Sequence, residues 1–148
     1  WKRILHEIKI WVMLFQKIKS CFLYQKETLE NGCIRIGEKE DSGQGSVLVS
    51  IGKRACKERQ KEFCSIWQEE IGIWCKRNGM PPKTEQLLMQ FPEYMKDADE
   101  QLQMELFSIY IEEMHAEEKL MEQRIREQQK PVMAVSLVVG LMLSILLV

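Results

Sequence analysis

The chain is poor in the residues that mark catalytic or metal chemistry. Two histidines, His6 and His115, are present in 148 residues. No G-x-x-x-x-G-K-[ST] loop occurs, no H-E-x-x-H, and no Ser, His and Asp arrangement with motif context, which leaves phosphate cradles, zinc proteases and acyl-transfer triads without a basis. Net charge is absent too: the formal value is −1, so no overall excess draws the chain to nucleic acid. The five cysteines (Cys21, Cys33, Cys56, Cys64, Cys75) are odd in number and form no C-x-x-C pair. That argues against a secreted disulfide framework and for reduced thiols in the cytosol. Both histidines lie outside the cysteine-bearing stretch, so no thiol has a motif-linked base, and each cysteine reads as a small buried hydrophobe. His115 stands among Glu112, Glu113, Glu117 and Glu118, which would suit a metal only if a second helix supplied a matching Glu-x-x-His run. None is present, and the group reads as a solvated helix face. The expectation is a protein with no catalytic residues, no metal, no cofactor and no small-molecule substrate.

The chain does contain one long apolar run. Residues 131–148 read PVMAVSLVVGLMLSILLV, with Ser136 and Ser144 the only polar side chains. As a helix the run spans roughly 27 Å, close to a bilayer's hydrocarbon thickness, and it shows no polar stripe. Lys119, Arg124, Arg126 and Lys130 precede it and no charged side chain follows. By the positive-inside rule the N-terminal part would then lie in the cytoplasm.

Upstream, apolar spacing predicts helices and no strand; Ser46–Ile51 (SVLVSI) is the one β-like run and is also read as helix. Residues 2–23 place Leu5, Ile8, Val12, Phe15, Ile18 and Phe22 on one face. Ile10, Trp11, Met13 and Leu14 widen that surface enough to require burial on most sides. Further helices are expected over 27–39, then, after a break at 40–45, over 46–59 (Val47, Leu48, Ile51 and Ala55 inward; Lys53, Arg54, Lys57 and Arg59 outward) and 61–77. The last is built on Phe63, Ile66, Trp67, Ile71 and Trp74. Asn78-Gly79 stops it, since both residues tolerate left-handed backbone, and Pro81-Pro82 cannot continue it. A short helix capped by Thr84 should run to Met95, kinked or ended by Pro92. A long one should then follow to Lys130, opened by a box-like Asp97-Ala98-Asp99-Glu100 and striped by Leu102, Leu106, Ile109, Tyr110, Met114, Met121 and Ile125. Pro131 would mark a kink or a fresh first turn into the membrane helix. The expected fold is all-α: a cytoplasmic bundle of about six helices over 1–130, then one transmembrane helix over 131–148.

Charge is segregated along this scheme. Residues 1–20 carry Lys2, Arg3, Lys9, Lys17 and Lys19 against Glu7, a net +4, whereas residues 93–122 carry a net −8. An acidic helix of this kind would steer a basic partner, and Glu105, Glu112, Glu113, Glu117, Glu118 and Glu122 are the candidate partner-binding surface.

Taken together, several short motifs resemble the stage III sporulation protein AB family of endospore-forming bacteria. Tyr24 followed by Glu27-Thr28-Leu29, Asn31-Gly32-Cys33 and Ile36 matches that family's turn into a helix. Cys64-Ser65-Ile66-Trp67 stands where the family has an aromatic E-A-W-like helix. Leu87, Leu88, Phe91, Pro92, Met95, Lys96, Ala98, Asp99 and Gln103 occupy its L-G-x-x-L-G-x-S-D-x-x-x-Q segment. Leu137, Gly140, Leu141, Ile145, Leu146 and Leu147 match the closing helix. Thr-Pro is replaced by Glu27-Thr28, and both family glycines of the middle motif by Pro92 and Lys96, as in a divergent member. The family begins with another membrane helix, which the start at Trp1 would omit.

The resemblance implies a bundle similar to the cytoplasmic domains of type II secretion platform proteins. It further implies a non-enzymatic subunit of a secretion-like channel complex between mother cell and forespore. Its partners would be the other subunits of that complex, especially a secretion-type ATPase, and the outer forespore membrane, with the soluble domain on the mother-cell side. The other expectation left open is a membrane-anchored regulatory or scaffold protein unrelated to sporulation.

Overall fold

Helix α1 (Lys2–Gln25) lies at the centre of the computed structural model, which describes residues 1–25, 28–58, 60–96 and 99–147, with backbone alone over 129–134. The wide apolar surface of α1 accounts for that position: Ile8, Trp11, Val12, Leu14, Phe15, Ile18 and Cys21 are all buried, on more than one face. Six further helices surround it or lead away from it: α2 (Leu29–Lys39), α3 (Gly43–Lys57), α4 (Phe63–Asn78), α5 (Pro82–Met89), α6 (Phe91–Tyr94) and α7 (Glu100–Leu147). Among the described residues there is no strand, and SVLVSI lies inside α3. The expected all-helical architecture is observed.

Helix boundaries follow local chemistry. The Thr28 hydroxyl accepts from the Asn31 amide at the start of α2, and the Ser42 hydroxyl accepts from that of Gly45 at the start of α3. Each satisfies an amide that has no intrahelical partner. The serine cap moves the start of α3 to Gly43, three residues before the expected one. Helix α4 ends as the sequence predicts: Gly79 is left-handed at φ 65°, and the Met80 amide closes on the Cys75 carbonyl at 3.0 Å.

The other end of the Pro81-Pro82 pair needs a correction. Thr84 caps nothing: α5 opens at Pro82, whose missing N–H costs little in a first turn, and Thr84 is buried inside it. The chain turns at Gln90, ahead of Pro92, so the expected single helix is two. Glu27, Arg59, Asp97 and Ala98, which figured in the expected caps, outward face and motifs, lie outside the described residues, as do the side chains of Lys130 and Pro131.

An aromatic cluster joins α1, α4, α6 and α7. Phe91 is its hub, with ring centroids 4.8 Å from Phe15, 4.8 Å from Trp67, 5.3 Å from Phe107 and 5.3 Å from Tyr110. Two polar tips lock the cluster to the short helices: Trp67 Nε1 donates to the Leu88 carbonyl at 2.8 Å, and the Tyr110 hydroxyl to that of Leu87 at 2.9 Å. Tryptophans 67 and 74 are therefore core residues.

Helices α2 and α3 form an antiparallel pair that glycine makes possible. A methyl group on Gly37 would lie 2.6 Å from the Gly45 carbonyl oxygen, and one on Gly52 would lie 2.7 Å from that of Glu30. Arg54 then ties α3 to α4 through Glu70 at 3.0 Å and Glu69 at 2.8 Å, and bonds Glu58 just past the end of α3. Within that basic stretch Arg54 and Lys61 are ion-paired, while Lys53 and Lys57 are exposed.

The stripe of α7 holds at Tyr110, Met114 and Met121 and departs from the expected one elsewhere. Phe107, Tyr110, Ile111, Met114 and Met121 are buried, whereas Leu102 and Ile109 face outward. The helix runs unbroken across position 131 to Leu147, so the expected helix boundary is not observed. Among the described residues no helix is long and apolar enough to cross a membrane. The described side chains of the expected span, Val135–Leu147, cover about 20 Å of helix against a hydrocarbon core of about 30 Å.

Truncating the hub by Phe91→Ala should lower stability by about 3–5 kcal/mol, and Gly52→Ala by about 1–3 kcal/mol through overpacking. Denaturant unfolding followed by circular dichroism measures both.

Candidate partner-docking surface

The packing of α1 against α4 and α7 gives the bundle two distinct ends. Lys9 pairs with Glu122 at 3.2 Å and Gln16 contacts His115 at 3.1 Å, so α1 and α7 run antiparallel. Trp11 meets Trp74 edge-to-face and Phe15 packs at a tilt on Trp67, so α4 is antiparallel to α1 as well. The start of α1, the end of α4 and the 120s of α7 therefore share one end, from which Val135–Leu147 leads away. The opposite, distal end gathers the last turn of α1, the first turns of α2, α4 and α7, and the α6 turn.

The distal end holds a groove of about 580 Å³ with an apolar lining of Phe22, Leu29, Phe63, Pro92 and Met95. Glu30, Glu62, Lys96 and Gln103 complete its walls. Leu23 and Tyr24 protrude near it, both exposed. Sequence reasoning missed this groove, because its lining comes from five helices and no single one repeats it. The signal available was the aromatic and methionine content at helix ends.

The six glutamates proposed as a surface do not share a face. Glu117 is a correction: it is only 4% exposed and its carboxylate pairs with Lys83 at 3.4 Å, so it belongs to the α5–α7 contact. Glu118 is held by His115 at 3.3 Å, and Glu122 is bridged by Lys9 and Arg126. These two lie on the flank facing α1. Glu113 is exposed and accepts a 2.8 Å hydrogen bond from the Tyr94 hydroxyl. Of the six, Glu105 and Glu112, two turns apart on the outer face, are exposed with neither an ion-pair nor a hydrogen-bond partner among the described residues. The acidic surface that remains is Glu105, Glu112 and Glu113, continuous toward the distal end with Glu93, Asp99 and Glu100.

Three of the five thiols are pushed away from the reactive thiolate form. Burial pushes Cys33 and Cys75 up to about 12, with Glu30 and Glu85 adding to it. Cys64 is raised by burial first and by Glu93 next, the carboxylate lying 3.7 Å from its sulfur. An activated cysteine needs a shift in the opposite direction. Among the described residues no group of three or more His, Cys, Asp or Glu could hold a metal ion.

A protein-family model, Stage III sporulation protein AB, matches residues 1–148, the whole chain. No curated protein matches the chain, and no solved structure does.

Glu117→Lys should lower stability by about 3 kcal/mol, because it sets a second cation beside Lys83 in a buried site. Glu105→Lys and Glu112→Lys should change it by no more than about 0.5 kcal/mol in the same thermal melts. With iodoacetamide at neutral pH, exposed Cys56 should be alkylated first and Cys33 and Cys75 only on unfolding. As both thiols are raised in the fold, stability should also fall as pH climbs past 9.0.

Proposed function

The chain belongs to the stage III sporulation protein AB family, and from that premise we propose that it is a membrane platform subunit of the mother cell–forespore channel complex. In this reading it performs no catalysis. The far end of α7 anchors the bundle to the outer forespore membrane, on its mother-cell side, and the distal end docks the secretion-type ATPase and other subunits.

One observation carries the membrane part. From Val135 to Leu147 every side chain is exposed, none is charged, and none packs on the core. A helix that is apolar on all sides needs lipid or protein around it, since water does not leave so large an apolar surface uncovered. The family motif's closing apolar helix falls on the same residues.

The docking part is supported by the distal groove and by Glu105, Glu112 and Glu113. A long charged helix beside an apolar recess supplies the two components of a transient interface, a field that speeds encounter and a desolvated spot that retains the partner.

The full chain should float with phospholipid vesicles in a density gradient and resist alkaline carbonate extraction. Paired substitution of Leu141→Arg and Leu143→Arg should release it to the soluble fraction. A full chain that stays at the bottom of the gradient would refute the anchor. For docking, Glu105→Lys with Glu112→Lys should weaken capture of the ATPase from sporulating cells in a salt-dependent way; capture unchanged at low salt would reject this face.

A further inference from the structure

The end of the bundle from which α7 leads toward its apolar segment carries cations that the fold itself leaves unpaired. Lys2 lies in the first turn of α1, Lys76 and Arg77 in the last turn of α4, and Arg124 on α7; all are exposed. None has an ion-pair or hydrogen-bond partner among the described residues. The other basic residues are divided: Lys39, Lys53, Lys57 and Lys119 are exposed and unpaired too, whereas several are held by carboxylates. Lys9 is engaged by Glu122, Lys61 by Glu69 and Lys83 by Glu117, and Arg54 holds three carboxylates.

The four belong to one end. Arg3 Nη2 donates to the Asn78 carbonyl at 2.7 Å, which fixes the start of α1 on the end of α4 beside Arg77. The antiparallel register set by Lys9 and Glu122 brings the first turn of α1 level with Arg124 and Ile125, and Ile4, Leu5 and Ile125 all pack on the core. The carboxylates nearby are Glu7, which accepts from Gln44; Glu122, bridged by Lys9 and Arg126; Glu85; and Glu127. Two of these four are already engaged. The end of α4 is also the negative pole of that helix, yet Lys76 and Arg77 exceed what one helix end needs.

Continuity with α7 identifies the occupant. From Arg126 to Val135 the helix covers about 14 Å, comparable to the headgroup layer plus one Debye length of about 8 Å. Once the apolar segment is in the bilayer, this end faces the lipid surface. Trp1, half-exposed in the same turn as Lys2, suits the interfacial layer.

We propose that Lys2, Lys76, Arg77 and Arg124 form a basic collar that rests on anionic phospholipid headgroups. The proposal depends on the membrane anchoring put forward above. It adds that the bundle is held upright by a second, electrostatic contact, with its acidic distal end pointing away from the bilayer. Each basic residue near an anionic surface is worth about a fivefold change in partitioning, so four set a strong preference for one tilt.

The test uses the full chain reconstituted into phosphatidylcholine vesicles and into vesicles containing phosphatidylglycerol. Acylation by an amine-reactive reagent is followed at each lysine by mass spectrometry. Flotation with both vesicle types reports the anchor; failure to float with either would refute the anchor and the collar with it. Given flotation, Lys2 and Lys76 should be acylated about fivefold more slowly on the anionic vesicles, with Lys53 and Lys57 on α3 unchanged. Added salt should remove the protection. Arg77→Glu with Arg124→Glu, both exposed and free of fold contacts, should abolish it at Lys2. Equal acylation of Lys2 and Lys76 on both vesicle types, with flotation intact, would overturn the collar and leave the anchor standing. Protection by added duplex DNA but not by the anionic lipid would overturn it in favour of nucleic acid.

Discussion

Packing around the Phe91 ring sets the position of everything else. Four helices contribute aromatics to it, and Phe91 itself sits on a helix of four residues that has no independent stability. The short α5–α6 connection exists to place this ring, and the two hydrogen bonds from Trp67 and Tyr110 to its neighbouring carbonyls fix its height. Aromatic pairs of this kind add about 0.5–1.5 kcal/mol each beyond area burial. They also fix geometry, because an edge-to-face contact tolerates little sliding. The antiparallel register of α1 with α4 and α7 follows from it, and so do the two ends of the bundle.

That register gives the fold its electrical polarity. The chain's near-zero net charge conceals a basic end made by the start of α1, the end of α4 and the 120s of α7. It equally conceals an acidic outer face and distal end made by the first half of α7. Neither is visible in the total, and the basic end does not lie in one stretch of sequence. Helix α7 connects them: at 48 residues it extends roughly 70 Å, passing from the distal end through the aromatic core to an apolar segment with nothing packed on it. A load applied at either end is borne by the core on the way.

The sequence disclosed the parts of this arrangement that repeat along a single helix. The faces of α1 and α4 were readable because Ile8, Phe15, Trp67 and Trp74 recur at helical spacing, and the stop at Asn78-Gly79 because only one backbone region suits Gly79. The phase of α7 was readable only in part: Tyr110, Met114 and Met121 are buried as expected. Leu102 and Ile109 fit a stripe as well as Phe107 and Ile111 do, and acids occur on every side, so periodicity alone could not choose. The burial of Glu117 escaped notice for a related reason: its partner Lys83 comes from another helix across a loop. The close contact of α2 with α3 rests on absent side chains at Gly37 and Gly52, which carry no periodic signal. The distal groove and the basic collar are products of topology and appear only when five or three helices meet.

The central claim is that the basic end of the bundle lies on the membrane and the acidic end away from it. Spin labels introduced singly by Arg77→Cys, Arg124→Cys and Glu105→Cys, in vesicles whose lipids carry a nickel-chelating headgroup, measure it directly. The account predicts strong relaxation enhancement at positions 77 and 124 and little at 105. Equal enhancement at all three positions, or the greatest at 105, would contradict it.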